Sequence, residues 1–307
     1  MTTISESDRA WHYRMINASI AAISIRPDSD TIPESAPGYA AMQLGEPPIA
    51  VQSGDFKINA GLVGLTREGS IIVAFRGTIT PPLVSNEVAC LDWTQDQKLS
   101  PVPWLLPESS EPFGYVCEGF AAATESVWDG IASAIRNYRP SRTRPIWITG
   151  HSKGGAMAVL AAPRIHKTFS LFPSTMTIVT SAAPCVGDAV FRDNYDRNGL
   201  TRRTIRYQNQ HDVIPLAPKK LPVIPPSFLP DCTAIHPPVP PEPNLEYDQI
   251  GTLHYISVDN TSTYAIETDQ QLAEKEYWDS VQNVSPLVAA QAHQPQGNYL
   301  NCFYGNG

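Results

Sequence analysis

The residues most able to do chemistry form a glycine-rich segment near the middle of the chain. Residues Gly150 to Gly154 read Gly-His-Ser-Lys-Gly, with Ser152 at the centre. The apolar run before them (146–149) is typical of a buried strand, and the Ala- and Leu-rich run after them (153–162) is typical of a buried helix. A strand that turns at once into a helix holds the serine in a strained bend, with helix N–H groups near its hydroxyl. Ser152 is therefore predicted to be a nucleophile, and the alternative is a glycine-rich turn without chemistry.

A serine nucleophile needs a base within hydrogen-bond reach and an acid that orients the base. In a strand–serine–helix arrangement, the acid and then the histidine follow the serine along the chain. Asp212 lies just past a predicted strand and before Pro215, where an orienting acid belongs; the alternative is a turn-capping aspartate. His254 and His293 remain as candidates for the base. The other histidines are set aside by chain order, by distance along a helix or by the proline-rich segment near them: His12, His151, His166, His211 and His236.

The elements around these residues alternate between strands and helices, which predicts an α/β fold with a mainly parallel central sheet flanked by helices. The first element is a helix over residues 5–25. An uninterrupted apolar run, 71–75, is typical of a strand covered on both faces, and it ends at Arg76-Gly-Thr78. We expect one domain over residues 1–307.

Two segments are predicted to be irregular. Residues 79–107 combine prolines with scattered apolar residues and follow the carboxyl end of a central strand, where loops surround the ligand crevice of an open α/β sheet. They are a candidate lid, or else a loop packed permanently on the core. Residues 215–243 hold 11 prolines and are interpreted as a stiff excursion within the same domain.

Composition excludes several classes of protein. The chain has 307 residues, 42% hydrophobic and 17% charged, which is typical of a soluble globular protein. A net charge of −8 argues against a nucleic-acid partner, and no apolar run is long enough to span a bilayer. Five cysteines without C-x-x-C spacing favour neither a zinc site nor a complete disulfide framework. Acidic residues precede the first apolar stretch, so we expect no signal peptide and slightly favour the cytoplasm over secretion.

Four ordered motifs carry a resemblance to a known family. They are Ala74-Phe-Arg-Gly-Thr78, Gly150-His-Ser-Lys-Gly-Gly155, Pro184-Cys-Val-Gly-Asp188 and Asn209 to Pro215. With them the chain resembles the class 3 (fungal-type) lipase family over roughly residues 5 to 305. The resemblance implies an α/β-hydrolase fold and ester hydrolysis through an acyl-enzyme, with no cofactor and no metal.

The resemblance also implies roles for single residues. Thr78 would give a backbone N–H, and its hydroxyl as well, to the oxyanion, and Lys153 would give a second N–H. Members place the catalytic histidine near the C-terminus before a Tyr-Leu pair, which matches His293 followed by Tyr299-Leu300, whereas His254 falls inside a predicted strand. We therefore favour His293 as the base.

Three features depart from the family pattern. Lys153 replaces an apolar or Gln residue and would put a long cation beside the site. Cys117 stands where a His is common. The stretch between Thr78 and Trp93 shows no clear amphipathic helix, which counts against a conventional hinged lid.

The sequence thus predicts a serine carboxylic-ester hydrolase that acts on acylglycerols or related acyl esters, with Ser152, Asp212 and His293 as its triad. Phospholipase A1-type or feruloyl esterase activity on the same triad is one alternative. An inactive hydrolase-fold binding protein is the alternative from a different class. The expected partners are an ester substrate and transient contact with a lipid interface; the sequence does not define an oligomeric state.

Overall fold

The computed structural model describes residues 4–29, 31–138, 140, 143–218, 246–259 and 263–304. These residues form ten strands: β1 (Ile49–Ser53), β2 (Asn59–Leu65), β3 (Ile71–Phe75), β4 (Pro101–Leu105), β5 (Pro112–Cys117), β6 (Ile146–His151), β7 (Met176–Ser181), β8 (Thr204–Asn209), β9 (Thr252–Val258) and β10 (Tyr264–Glu267). Eight of them form one sheet in the order β1-β2-β3-β6-β7-β8-β9-β10, and β4 and β5 form a separate pair. From β3 to β9 every neighbouring pair in this sheet is parallel. The predicted mainly parallel sheet is confirmed.

The same residues contain eight α-helices: α1 (Glu6–Ile23), α2 (Asn86–Asp96), α3 (Glu118–Asn137), α4 (Lys153–Thr168), α5 (Ala189–Arg197), α6 (Gln270–Val281), α7 (Pro286–Ala292) and α8 (Asn298–Asn301). The helix predicted over 5–25 corresponds to α1, which begins after Ser5 because the Ser5 hydroxyl accepts a hydrogen bond from the Asp8 N–H. Within the described ranges, no helix has the length and apolar character needed to cross a membrane.

Strand β3 shows why the sheet has a helical layer on each face. Successive side chains of a strand point to opposite faces. Ile71, Val73 and Phe75 pack in one buried cluster with residues of α3 and α4. Ile72 and Ala74 pack in a second cluster with residues of α1 and α8. The uninterrupted apolar run in the sequence therefore reflects a strand that is covered on both sides.

The segment 79–107 is not irregular throughout, so the prediction of a loop there was wrong. It contains α2, whose N-terminus is capped by the Ser85 hydroxyl, and β4. The buried stripe of α2 includes two carboxylates, Asp92 and Asp96, beside apolar residues such as Trp93. Because charged residues occupy the inner face, the apolar periodicity that marks a helix is weak in the sequence.

The proline-rich excursion predicted over 215–243 lies, apart from residues 215–218, outside the described residues. Pro215 belongs to a single 3₁₀ turn (Ile214–Leu216) that directly follows the loop carrying Asp212.

Candidate active site

The nucleophile bend lies between β6 and α4. Ser152 has φ 56° and ψ −128°, a strained conformation for a residue with a side chain. A Cβ atom at Gly150 would lie 2.0 Å from the Gly154 carbonyl oxygen, and one at Gly154 would lie 2.3 Å from the carbonyl oxygen of Phe75. The bend therefore requires glycine at both positions, which explains the spacing of the motif.

The structure brings Ser152, His293 and Asp212 together, although 141 residues separate the first two in the chain. Nε2 of His293 lies 2.9 Å from Oγ of Ser152. Nδ1 of His293 lies 3.0 Å from one oxygen of the Asp212 carboxylate and 3.1 Å from the other. All three side chains are buried. The result is an unbroken chain of hydrogen bonds from the hydroxyl to the carboxylate.

Three further groups hold Asp212 in place. The Tyr299 hydroxyl donates to one carboxylate oxygen at 2.6 Å, and the Ile214 N–H donates to the other at 3.0 Å. The Tyr277 hydroxyl donates to the main-chain oxygen of Asp212 at 2.7 Å. Burial, followed by the nearby Asp212 charge, raises the pKa of Tyr299 well above its usual value, so this hydroxyl stays a donor. These bonds hold the Asp212 carboxylate in the orientation in which it contacts Nδ1 of His293.

His293 is positioned by the end of α7. The main-chain N–H of His293 donates to the carbonyl oxygen of Ala289 at 3.1 Å. The Asn209 side chain donates to the carbonyl oxygen of Ala292 at 2.9 Å. The ring of His151 lies 4.8 Å from the His293 ring, centroid to centroid. Burial, followed by the neighbouring His293, lowers the pKa of His151 well below its usual value, so His151 is a neutral packing residue.

Thr78 follows a residue that lies close to the nucleophile bend, and Lys153 follows Ser152 directly in the chain. A Cβ atom at Gly77 would lie 3.7 Å from the Ser152 Cβ, so the turn after β3 runs close to the bend. The hydroxyl of Thr78 donates to Oδ2 of Asp96. Lys153 is the first residue of α4, and its N–H therefore has no acceptor within that helix.

The side chain of Lys153 differs from the expectation of a cation beside the site. It is 1% exposed, and its ammonium forms an ion pair with Asp92 of α2. The sequence interpretation gave no role to Asp92 or Asp96. The signal that could have revealed them is their spacing, since residues i and i+4 of a helix share a face, and both follow Thr78 closely in the chain.

His254, the other candidate base, is not near Ser152. It lies in β9 and packs against His12 and Tyr207, with ring centroids 6.0 and 5.1 Å away. Burial is the main cause that lowers the pKa of His254 to about 3 and that of His12 to about 4. Both histidines are therefore neutral core residues at neutral pH.

Because these two histidines have lowered pKa values, we expect the folded protein to lose stability in acid. Their pKa values in the folded protein lie below the unfolded value of about 6.5, so their contribution is fully present above pH 6.5 and is lost as pH falls towards 4 and 3. For His254 alone we expect the free energy of unfolding to fall by about 3 kcal/mol between pH 7.5 and 4.5. Urea unfolding of the wild type and of His254→Phe at both pH values measures this, because the variant lacks the proton acceptor. Equal losses in the two proteins would contradict the assignment.

Metal chemistry has no site in the described ranges, where no group of three or more His, Cys, Asp or Glu side chains is arranged to hold an ion. Cys90 is disulfide-bonded. Cys117, Cys185 and Cys302 are buried and are not part of a disulfide. The group in the described ranges to which we assign chemistry is therefore the hydrogen-bonded chain of Ser152, His293 and Asp212.

Part of the chain is similar in sequence to known lipases. The family model described as Lipase (class 3) matches residues 72–221. A lipase of Caenorhabditis elegans is 32% identical over 150 residues, which cover 48% of this chain and 38% of that protein. A chloroplastic phospholipase A(1) of Arabidopsis thaliana is 29% identical over 162 residues, which cover 48% of this chain and 33% of that protein. The chain thus spans well under half the length of these curated relatives.

A solved structure extends the similarity to nearly the whole fold. The triacylglyceride lipase of Rhizomucor miehei superimposes with a TM-score of 0.61 over 94% of both chains, at 18% sequence identity. At that identity the likeness shows the fold, which is the α/β-hydrolase fold. Residues 72–221 thus match the class 3 lipase family model, and the fold as a whole resembles that of a solved lipase.

Proposed function

We propose that this protein is a serine carboxylic-ester hydrolase that cleaves acylglycerols or related acyl esters through an acyl-enzyme. The observation that carries the proposal is the hydrogen-bonded chain from the Ser152 hydroxyl through His293 to Asp212. A hydroxyl, an imidazole and a buried carboxylate in this order form the arrangement that activates a serine for acyl transfer.

The geometry supports a direction for the proton. An ionised carboxylate only accepts hydrogen bonds, so Nδ1 of His293 donates to Asp212 and Nε2 is left as the acceptor for the Ser152 hydroxyl. As Ser152 attacks the ester carbonyl, His293 takes its proton and then gives it to the leaving alcohol. Water repeats the two steps to release the acid, while Asp212 stabilises the imidazolium.

We assign the oxyanion to two main-chain donors, the N–H groups of Thr78 and Lys153. The hydroxyl of Thr78 is directed to Asp96, which leaves its N–H as the group that the turn after β3 can offer. The N–H of Lys153 has no intrahelical acceptor and carries the partial positive charge of the start of α4. Such fixed donors stabilise the charge that develops on the carbonyl oxygen.

Contact with a lipid surface is part of the proposal. Leu287 and Val288 are 67% and 39% exposed on α7, the helix that ends at His293. Large apolar side chains exposed on a helix that leads to a catalytic group are consistent with a surface that meets an apolar partner. Both residues would then enter the interface while the ester reaches Ser152.

The test is a substrate panel with the purified protein. We expect hydrolysis of p-nitrophenyl butyrate and octanoate and of a diacylglycerol, with release of one fatty acid per ester cleaved. Phosphatidylcholine belongs in the panel because one relative is a phospholipase A(1), and methyl ferulate tests the aryl-ester alternative. Rates below and above the solubility limit of one ester show whether a lipid surface accelerates the reaction.

Absence of hydrolysis for every member of the panel would contradict the proposal. It would favour an inactive protein that binds through the same fold. Cleavage of phosphatidylcholine alone would retain the mechanism and move the substrate to phospholipids.

A further inference from the structure

The side chain of Lys153 is a buried cation within the nucleophile bend. Its Nζ pairs with Oδ1 of Asp92 and lies 3.3 Å from Oδ1 of Asn59 and 3.4 Å from the carbonyl oxygen of Ile58. Lys153 and Asp92 are 1% and 0% exposed. Removing two charges from water is costly, and apolar residues of similar volume often give equal or greater stability. Stability alone therefore does not explain why a lysine follows the nucleophile.

Asp92 connects this cation to the turn that carries Thr78. Its second oxygen, Oδ2, accepts a hydrogen bond from the Ile79 N–H at 2.9 Å. One helical turn later, Oδ2 of Asp96 accepts from the hydroxyl of Thr78. Two carboxylates on one face of α2 thus hold two successive residues of the turn after β3.

Both carboxyl groups are buried, and the ammonium of Lys153 acts on each of them. Burial raises the pKa of Asp96 to about 7, the ammonium of Lys153 lowers it, and the Asp92 charge raises it. Arg76 is buried close by and its charge also acts on Asp92, but its two terminal nitrogens donate to the carbonyl oxygens of Ile25 and Lys57. Lys153 forms the ion pair with Asp92, on the face of α2 that holds the turn after β3.

We propose that Lys153 is a positioning residue. Through Asp92 and Ile79, its side chain holds in place the turn after β3, which carries the second oxyanion donor, Thr78. The proposal rests on the proposed function, since it assigns one oxyanion donor to the Lys153 main chain and the other to Thr78. One residue then fixes both sides: its N–H is a donor, and its ammonium holds the helix that orders the turn with the second donor. A displacement of about 1 Å at such a donor is enough to cost about 100-fold in rate.

The first variant is Lys153→Met, which keeps the main-chain N–H and the length of the side chain but removes the ammonium. On a soluble short-chain ester we expect kcat to fall about 10- to 100-fold, with KM within about threefold of the wild type. Lys167→Met, an exposed position near the other end of α4, is the matched control and should leave both constants unchanged. The melting temperature of Lys153→Met should also fall, by about 10 °C, because Asp92 is left buried without its partner.

The double variant Lys153→Met, Asp92→Asn separates positioning from folding. It removes both charges, so the melting temperature should return to within about 3 °C of the wild type. The link between the nucleophile bend and α2 is still missing, so kcat should remain at least about 10-fold low. Recovery of kcat together with the melting temperature would overturn the proposal, as would wild-type kcat in Lys153→Met.

The wild type is measured in the same series. If it hydrolyses esters while both variants keep full kcat, the positioning role fails and the proposed function stands. If the wild type hydrolyses no ester, the proposed function fails and the positioning role fails with it.

Discussion

Replacing Ser152 by Ala should lower ester hydrolysis by about 10⁴-fold or more, with the fold unchanged. The reaction would lose the atom that forms the acyl-enzyme, and the residual rate would come from binding and the oxyanion donors alone. Alanine keeps a Cβ, so the strained backbone at φ 56° is the same in both proteins. Initial rates on p-nitrophenyl butyrate, with circular dichroism to verify the fold, measure the effect.

Ser181→Ala is the matched control for this variant. Ser181 ends the neighbouring strand β7 in register with His151, and its hydroxyl lies 3.0 Å from Nδ1 of His151. We expect its rate to stay within about threefold of the wild type. Comparable losses in the two serine variants would mean that Ser152 has no special role.

Replacing His293 by Ala should have an effect of similar size, about 10⁴-fold on kcat/KM. Without the imidazole, Ser152 loses the base that takes its proton in the described structure, and Asp212 loses the ring it orients. The loss should appear mainly in kcat, because the imidazole acts on the proton in the transition state.

The second histidine that the sequence left open supplies the control for this prediction. His254→Ala removes an equally buried imidazole, but one that packs against His12 and Tyr207 instead of Ser152. It should retain activity within about threefold at neutral pH. Full activity in His293→Ala together with loss in His254→Ala would reverse the assignment of the base.

The bend around Ser152 could be predicted because its requirements are local. Gly150 and Gly154 face backbone oxygens closer than any side chain allows, so the motif is visible in the sequence itself. The parallel sheet was predictable for a similar reason, since apolar runs such as 71–75 reflect burial on both faces. Asp212 could be proposed from its place after a strand and before Pro215.

Local sequence could not decide which of His293 and His254 lies beside Ser152. Nothing in the residues next to His293 indicates that α7 brings it to Ser152. It was favoured by the resemblance to the class 3 lipase family and by the place of His254 inside a predicted strand. The contacts that place it are long-range, such as the bond from the Asn209 side chain to the carbonyl oxygen of Ala292. Tyr299 served in the sequence only as a marker of position, whereas the structure shows its hydroxyl on the Asp212 carboxylate.

Helix α2 was missed for a physical reason. Its inner face carries Asp92 and Asp96, and a buried carboxylate looks like a solvent-exposed residue in any analysis of apolar periodicity. These charges can be buried because Lys153, Ile79 and Thr78 supply partners from other parts of the chain. The lysine after the nucleophile, which departs from the family pattern, and the unpredicted helix α2 are therefore joined by one ion pair, Lys153–Asp92.

The most direct test of the central claim is the site of covalent labelling by a fluorophosphonate. An activated serine displaces fluoride and forms an oxygen–phosphorus bond, which peptide mass spectrometry assigns to a residue. We predict a single adduct on Ser152, absent in Ser152→Ala and formed at least about 100-fold more slowly in His293→Ala. An adduct on another residue, or none on a wild type that hydrolyses esters, would contradict the claim that Ser152 is the nucleophile.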